Sequence, residues 1–171
     1  ILVGEIRDAE TAAMAVDSAL TGHLVLSAVH ANSAAASAAR LIEMGVQPFL
    51  LASSLVGVEA QRLARKICQH CKVLREPSAA EAIAYEQMMQ EPALEFYVGE
   101  GCNLCGRTGF SGRVGIFEIL TVSEEIQRLI ASGATAGDIR NKAVEEGMIP
   151  LEKAGMLKVK AGETTIAEVM R

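Results

Sequence analysis

Tryptophan is absent from this sequence, and two tyrosines and four phenylalanines are its only aromatic residues. Its core must therefore be filled by Leu, Ile, Val, Ala and Met. Nothing supplies the interleaved aromatic and basic residues on which single-stranded nucleic acid stacks. Positive charge is not in excess: 16 Lys and Arg stand against 21 Asp and Glu, a formal net charge of −5. That balance argues against direct nucleic-acid contact through a broadly basic surface. No stretch approaches the ~20 consecutive apolar residues of a membrane-spanning helix, and no charged segment leads into the short apolar run of a secretory signal. What is present is the composition of a folded chain, half hydrophobic and 22% charged over 171 residues. That is room for one domain, or one with a small appendage.

The first residues, "ILVGEIRDAETA", carry no initiator methionine and open directly in apolar text. Ile1 to Val3 reads as a short strand. From Asp8, a helix N-cap, the residues Ala12, Ala13, Val16, Ala19 and Leu20 fall at helical spacing, and Gly22 suits the stop. "HLVLSAVH" returns to a buried strand. A helix from Ser33 to Met44 follows, ended by Gly45, and Pro48 sits in the first turn of a third helix reaching about Leu55. "GVEAQRLARKI" suits a strand or a helix and is read as a strand. A helix is expected near residues 78–90, "RVGIFEILTV" alternates as a strand does, and the remainder is helical, with Ser123 and Thr135 as caps and Gly162 as a break. The order is that of an α/β fold.

A strand–helix–strand unit fills the first thirty residues. Its two strands would run parallel through a right-handed crossover. Glu5 is then expected just past the first strand and His30 just past the second, so both reach the carboxyl edge where doubly wound sheets bind ligands. An apolar strand ending in Gly4-Glu5 is similar to a Walker B segment, which delivers an acid to nucleotide phosphates and Mg²⁺. Glu5 could orient or deprotonate a water attacking a γ-phosphate, and His30 could donate a hydrogen bond to that phosphate. The competing reading makes Glu5 a partner of Arg7, and His23 and His30 hydrogen-bonded loop residues. Arg7, Arg62, Arg65, Arg107 and Arg113 are candidates for phosphate or subunit contacts, although a surface arginine is more often solvated or ion-paired.

The four cysteines form two knuckles, Cys68-x-x-Cys71 and Cys102-x-x-Cys105, with thirty residues between them. Each knuckle brings two thiolates to one ion, and four sulfurs with no open position describe structural zinc in a reducing compartment. An iron–sulfur cluster, or a redox pair at either knuckle, is the alternative chemistry. His70, between the first two ligands, reads as a solvated bystander.

"ILVGEIRDAETA", "TGHLVLSAVHANSA", "LVGVEAQRLARKIC", "GCNLCGRTGFSGRVGIFEIL" and "AGETTIAEVMR" together resemble the type II secretion and type IV pilus assembly ATPases, in order and over essentially the whole chain. The resemblance implies a catalytic Glu5 with Arg7 beside it, and a Walker B glycine at Gly4. It implies a histidine box from Thr21 to Asn32 in which His23 contributes to cofactor binding and His30 faces the γ-phosphate. The family usually has Thr-Leu-His-Thr-Asn where this chain has Ala28-Val29-His30-Ala31-Asn32. It implies Zn²⁺ on Cys68, Cys71, Cys102 and Cys105, with ATP and Mg²⁺ as cofactors of the full-length protein. The expected fold is the second half of a RecA-like P-loop ATPase core (1–67), a tetracysteine zinc module (68–109), then a returning core strand and C-terminal helical region (110–171).

The family forms hexameric rings in the cytoplasm, peripheral to the inner membrane, and acts on inner-membrane platform proteins. No G-x-x-x-x-G-K-[ST] loop occurs in these residues. The chain is therefore expected to be a C-terminal part that neither binds ATP tightly nor hydrolyses it alone. A non-enzymatic zinc-bearing docking module, and a DNA-uptake or conjugation motor, are the alternative functions.

Overall fold

A computed structural model describes all 171 residues, Ile1–Arg171. In chain order the elements begin β1 (Leu2–Ile6), α1 (Ala9–Leu20), β2 (Leu26–Val29), α2 (Ala34–Glu43), α3 (Pro48–Ser54) and β3 (Gly57–Ile67). They continue β4 (Lys72–Arg75), α4 (Ala79–Met89), β5 (Phe96–Gly99), β6 (Phe110–Thr121), α5 (Glu124–Ala131), α6 (Ala136–Glu145), α7 (Leu151–Lys160) and α8 (Ile166–Val169). The chain folds as two compact units, one of Ile1–Ala60 with Glu118–Met148, the other of Gln61–Phe117 with Ile149–Arg171. The long strands β3 and β6 pair with each other, and each begins in one unit and ends in the other.

In the first unit β1 and β2 pair in parallel across α1, as the opening strand–helix–strand pattern predicts. The helices start where short polar side chains can receive otherwise unpaired N–H groups. Asp8 Oδ1 accepts from Thr11 at 2.8 Å, Ser33 Oγ from Ala36, and Ser123 Oγ from Ile126. Thr135 and Asp138 close a reciprocal capping pair on α6. The helices α1 and α2 stop at Gly22 and Gly45, whose φ values of +94° and +99° a side chain would resist. The core contains no aromatic ring. Ala12, Ala34, Ala35 and Ala38 let backbones approach, and Leu41, Leu51, Leu120, Ile126, Ile130 and Ile139 fill the volume. Each large side chain there contributes about 1.5–3 kcal/mol on leaving water.

The second unit holds a smaller core of Tyr85, Met156, Val159 and Ile166, with Phe96 packed against it and its ring centroid 4.7 Å from that of Tyr85. Tyr85 donates its hydroxyl proton to Glu91, whose carboxylate also receives Lys160 Nζ at 2.8 Å. Burial, with the Glu91 charge behind it, pushes the Tyr85 phenol up to about 12. The antiparallel hairpin of β4 and β5, in register Lys72↔Gly99 to Arg75↔Phe96, was not expected from the sequence. "KVLR" and "FYVG" are too short for alternation to declare a strand. Arg65 is an internal tie: its guanidinium donates to both Glu168 carboxylate oxygens at 2.7 and 3.0 Å and lies over the Phe110 ring.

The Arg65 hydrogen bonds, with Arg171 nearby, hold the Glu168 carboxyl below its ordinary range despite partial burial. A depressed carboxyl stabilises the fold above its unfolded value, and that contribution is lost as pH falls through the folded value. Arg65→Gln is therefore expected to melt about 2–4 °C lower than the parent at pH 7, the shift that ~1 kcal/mol produces at this size. The gap should close below pH 4. A gap of constant size in melts from pH 7 to pH 3 would remove the ion pair as its cause.

Candidate functional site

Glu5 does not stand beyond β1, where the strand-end argument put it; it lies inside the strand. The reason is the register. Val3 pairs with Ser27 and Ile6 with Val29, so three steps on β1 match two on β2. The extra residue is a bulge at Gly4-Glu5, and bulges of this kind re-aim a side chain. A Cβ added at Gly4 would meet nothing within 4 Å, so the space beside the bulge is open. His30 follows directly after β2, as expected.

These two residues and Arg7 meet on one carboxylate. Arg7 Nε donates to Glu5 Oε2 at 2.7 Å, and His30 Nε2 contacts Glu5 Oε1. The Glu5 side chain is 24% exposed, whereas His30 and Arg7 are 87% and 74% exposed, so the carboxylate sits at the bottom of a group open to solvent. Oε1 itself is screened from solvent, with His30 Nε2 as its contact. A single ionised carboxylate at the floor of a solvent-open group is a hard oxygen donor, which suits a water molecule or a hydrated cation such as Mg²⁺. The Arg7 hydrogen bond holds the Glu5 carboxyl below the usual carboxylate range, against the opposing effect of burial, with the Arg7 charge and His30 acting in the same sense. Glu5 is thus an anion that orients and polarises more readily than it takes up a proton.

His23 is not part of this group. Its Nδ1 lies 3.2 Å from both Thr21 Oγ1 and the Ser18 carbonyl, at the end of α1 and ahead of β2. Glu118, in contrast, was missed. Its side chain is 2% exposed, and its Oε1 accepts the Ala34 N–H at 2.8 Å at the start of α2. The signal was available: in "IFEIL" strand alternation turns Ile116, Glu118 and Leu120 to the same inward side.

The second unit brings the four cysteines together. Their sulfurs all lie within 4.8 Å of one another, with Cys102–Cys105 at 3.8 Å, Cys71–Cys105 at 3.9 Å and Cys68–Cys102 at 4.0 Å. A tetrahedral ion at the usual ~2.3 Å from each sulfur requires separations near 3.8 Å, so the cluster fits a four-thiolate metal. His70 is not among these ligands. Backbone N–H groups point at the sulfurs: Gly101 donates to Cys71 at 3.3 Å, Cys102 to Cys105 at 3.1 Å and Gly109 to Cys105 at 3.3 Å. Such donors orient and charge-balance metal-bound thiolates. They draw the Cys105 thiol down to about 6, whereas burial pushes Cys71 up to about 12. Two glycines admit this geometry. A Cβ at Gly99 would come within 2.0 Å of the Gly109 carbonyl oxygen, and one at Gly109 within 2.3 Å of the Gly99 oxygen.

The profile of the family described as "Type II/IV secretion system protein" matches residues 1–171. The chain belongs to that family. This secretion-family chain is 44% identical over 175 residues to the type IV pilus assembly ATPase TfpB of Acinetobacter baylyi, which covers all of the chain and 29% of that protein. It is 43% identical over 171 residues to the type II secretion system protein HxcR of Pseudomonas aeruginosa, covering all of the chain and 33% of the relative. It therefore spans about a third of these relatives' length. Among solved structures, the fold resembles the pilus retraction motor PilT with bound ADP, at TM-score 0.65 and 23% identity over 99% of the chain and 38% of that protein. The Yersinia pseudotuberculosis ATPase DotB superposes at TM-score 0.67 with 20% identity, over the whole chain and 36% of its partner. No helix of the secretion-family chain is long and apolar enough to cross a membrane.

Proposed function

We propose that these residues are the C-terminal part of a cytoplasmic, hexameric motor ATPase of RecA-like core that powers type II secretion or type IV pilus assembly. The observation that carries this reading is the meeting of Glu5 and His30, 25 residues apart in sequence, on two adjacent parallel strands, the first inside β1 and the second directly after β2. Glu5 holds the attacking water, whose oxygen bonds to the γ-phosphorus as the bond to the β–γ bridging oxygen breaks; ADP departs and the released phosphate keeps the water's proton or passes it to Glu5. Mg²⁺, when bound, would neutralise phosphate charge, and the Glu5 carboxylate is the group of this site that would hold one of its waters. His30 donates to the γ-phosphate, Gly4 leaves room for its approach, and Arg7 fixes Glu5. His23 serves only the order of the α1–β2 loop.

Zn²⁺ on Cys68, Cys71, Cys102 and Cys105 is structural in this reading. The zinc-bearing segment, about residues 68–109, docks on inner-membrane platform proteins, while 1–67 and 110–171 belong to the ring and its helical appendage. No direct nucleic-acid contact is part of the proposal.

The test is steady-state ATP hydrolysis by the full-length polypeptide that contains these residues, with the 171-residue chain measured beside it. Hydrolysis by the first and none by the second is expected, because no phosphate-cradling loop occurs within the 171 residues. Submicromolar ATP binding by the short chain would overturn the second half of that expectation. A zinc-loaded full-length protein without ATPase activity would leave the docking module as the better reading.

A further inference from the structure

Glu118 is the one glutamate of this chain buried from solvent, at 2% exposure, and it belongs to a strand remote in sequence from the site. A carboxylate in such a place is costly unless it is hydrogen-bonded. Oε1 accepts a hydrogen bond from the Ala34 N–H, 2.8 Å distant and 84 residues away. Ala34 is the first residue of α2, so this N–H is one that the helix cannot satisfy itself. The helix already carries a local cap, Ser33 Oγ on the Ala36 N–H. Glu118 thus adds a second, long-range acceptor at the same terminus, where the helix dipole favours negative charge.

The position of that bond gives it a role beyond capping. Between the end of β2 at Val29 and the start of α2 at Ala34 lie only His30, Ala31, Asn32 and Ser33. One end of this short connection is fixed by strand pairing, since Val29 is registered on Ile6. Glu118 fixes the other. Ala34 is fully buried and Ala35 nearly so, so the anchored end cannot drift without opening the core. The His30 side chain itself is mostly exposed, with Glu5 as its recorded contact. The ring therefore owes its place to the backbone that carries it.

We infer that Glu118 is a positioning residue, a buried brace on the α2 terminus that holds the His30 backbone where its imidazole reaches Glu5. The proposal rests on Glu5 and His30 forming the hydrolytic site only for its effect on activity; the placement of His30 is independent of that reading. Removal of the brace lets the connection relax, and a displacement of about 1 Å at such a group costs on the order of a hundredfold in rate.

The experiment replaces Glu118 by Met, which keeps the bulk but offers the Ala34 N–H no oxygen, and, in a second variant, by Ala. Ile139→Val, a truncation elsewhere in the same core, serves as a comparator for lost stability. Nuclear magnetic resonance of the 171-residue chain reads the imidazoles directly, because His23, His30 and His70 are the only three. The expected result is that Glu118→Met moves the His30 ring resonances toward those of a Glu5→Gln chain and leaves His23 and His70 unmoved. Ile139→Val should move none of them.

In the full-length protein, Glu118→Met is expected to lower kcat by about ten- to a hundredfold with KM changed less than about twofold. Ile139→Val should leave both constants near the parent's. His30 resonances unchanged in both Glu118 variants, at a melting temperature lowered like that of Ile139→Val, would reduce Glu118 to a helix cap and overturn the brace. A displaced His30 with an unchanged kcat would overturn its contribution to hydrolysis. If Glu118→Ala fails to fold, Glu118→Met, which fills the same space without an acceptor, decides alone.

Discussion

Replacing Cys102 with serine is expected to release the metal and to loosen residues 68–109, most of all at the two knuckles, while the first unit stays intact. The size of the effect follows from where the folding energy of that segment comes from. Its hairpin strands β4 and β5 have four residues each, and the core that α4 and β5 share with α7 and α8, around Tyr85, Phe96 and Met156, is small. Of the four ligands only Cys68 is buried. At the knuckles themselves little apolar area is therefore available, whereas a four-thiolate zinc site contributes an apparent ~10–16 kcal/mol to folding at neutral pH.

Serine removes one thiolate and also the sulfur that lies within reach of both Cys68 and Cys105. Zinc content measured by mass spectrometry should fall from about one per chain to a small fraction of that, since a site built for four ligands binds weakly with three. Amide exchange should accelerate at Gly101, Cys102 and Gly109, whose N–H groups point at sulfur, and stay slow across the core around Ile126 and Ile139. Full zinc content in the variant would remove Cys102 from the ligand set. Iron and acid-labile sulfide in the parent protein would replace zinc by a cluster without changing the ligands.

The parts of this molecule that could be read in the sequence are those decided by neighbours in the chain. Asp8, Ser33, Ser123 and Thr135 announce helix starts because a cap accepts a hydrogen bond from three residues on, and all four do so here. Pro48 and the glycines at 22 and 45 act through their own backbone. Residues 57–67 suit a strand or a helix on local text, and the strand, β3, is what forms. What escaped depends on a second strand or a distant residue. Whether Glu5 lies in or beyond β1 is set by a register shift against β2, which local text does not encode. The hairpin of β4 and β5 is closed by partners more than twenty residues apart. Glu118 looked like an ordinary strand glutamate because its justification, the Ala34 N–H, is 84 residues away. His23 and His30 carry the same residue type, yet only His30 follows the carboxyl end of a strand, and only His30 reaches Glu5.

Glu5→Gln in the full-length protein is expected to lower kcat by about 10²- to 10⁴-fold, the usual range for removing a positioned general base, while ATP still binds. Glutamine keeps the shape and one acceptor oxygen but loses the charge that polarises the water. It also loses the ion pair with Arg7, which Arg7→Ala breaks from the other side, and the two variants should differ in pH dependence. In the parent, Arg7 holds the Glu5 carboxyl below its ordinary range. The active carboxylate therefore persists as pH falls past the ordinary value, and the acid limb of kcat/KM lies below it.

Without Arg7 the carboxyl returns toward its usual pKa of about 4.3. The acid limb of Arg7→Ala should then move to higher pH, and activity on the plateau should fall less than in Glu5→Gln. The measurement is kcat/KM from pH 8 to pH 3 for parent and variants, with ATP affinity followed separately. Plateau activity of Glu5→Gln within a few-fold of the parent would place the base elsewhere. An acid limb unmoved by Arg7→Ala would mean that a different group governs it, and that the contact between Arg7 and Glu5 gives way to other partners when nucleotide is bound. The two results together separate what Glu5 does to the water from what Arg7 does to Glu5.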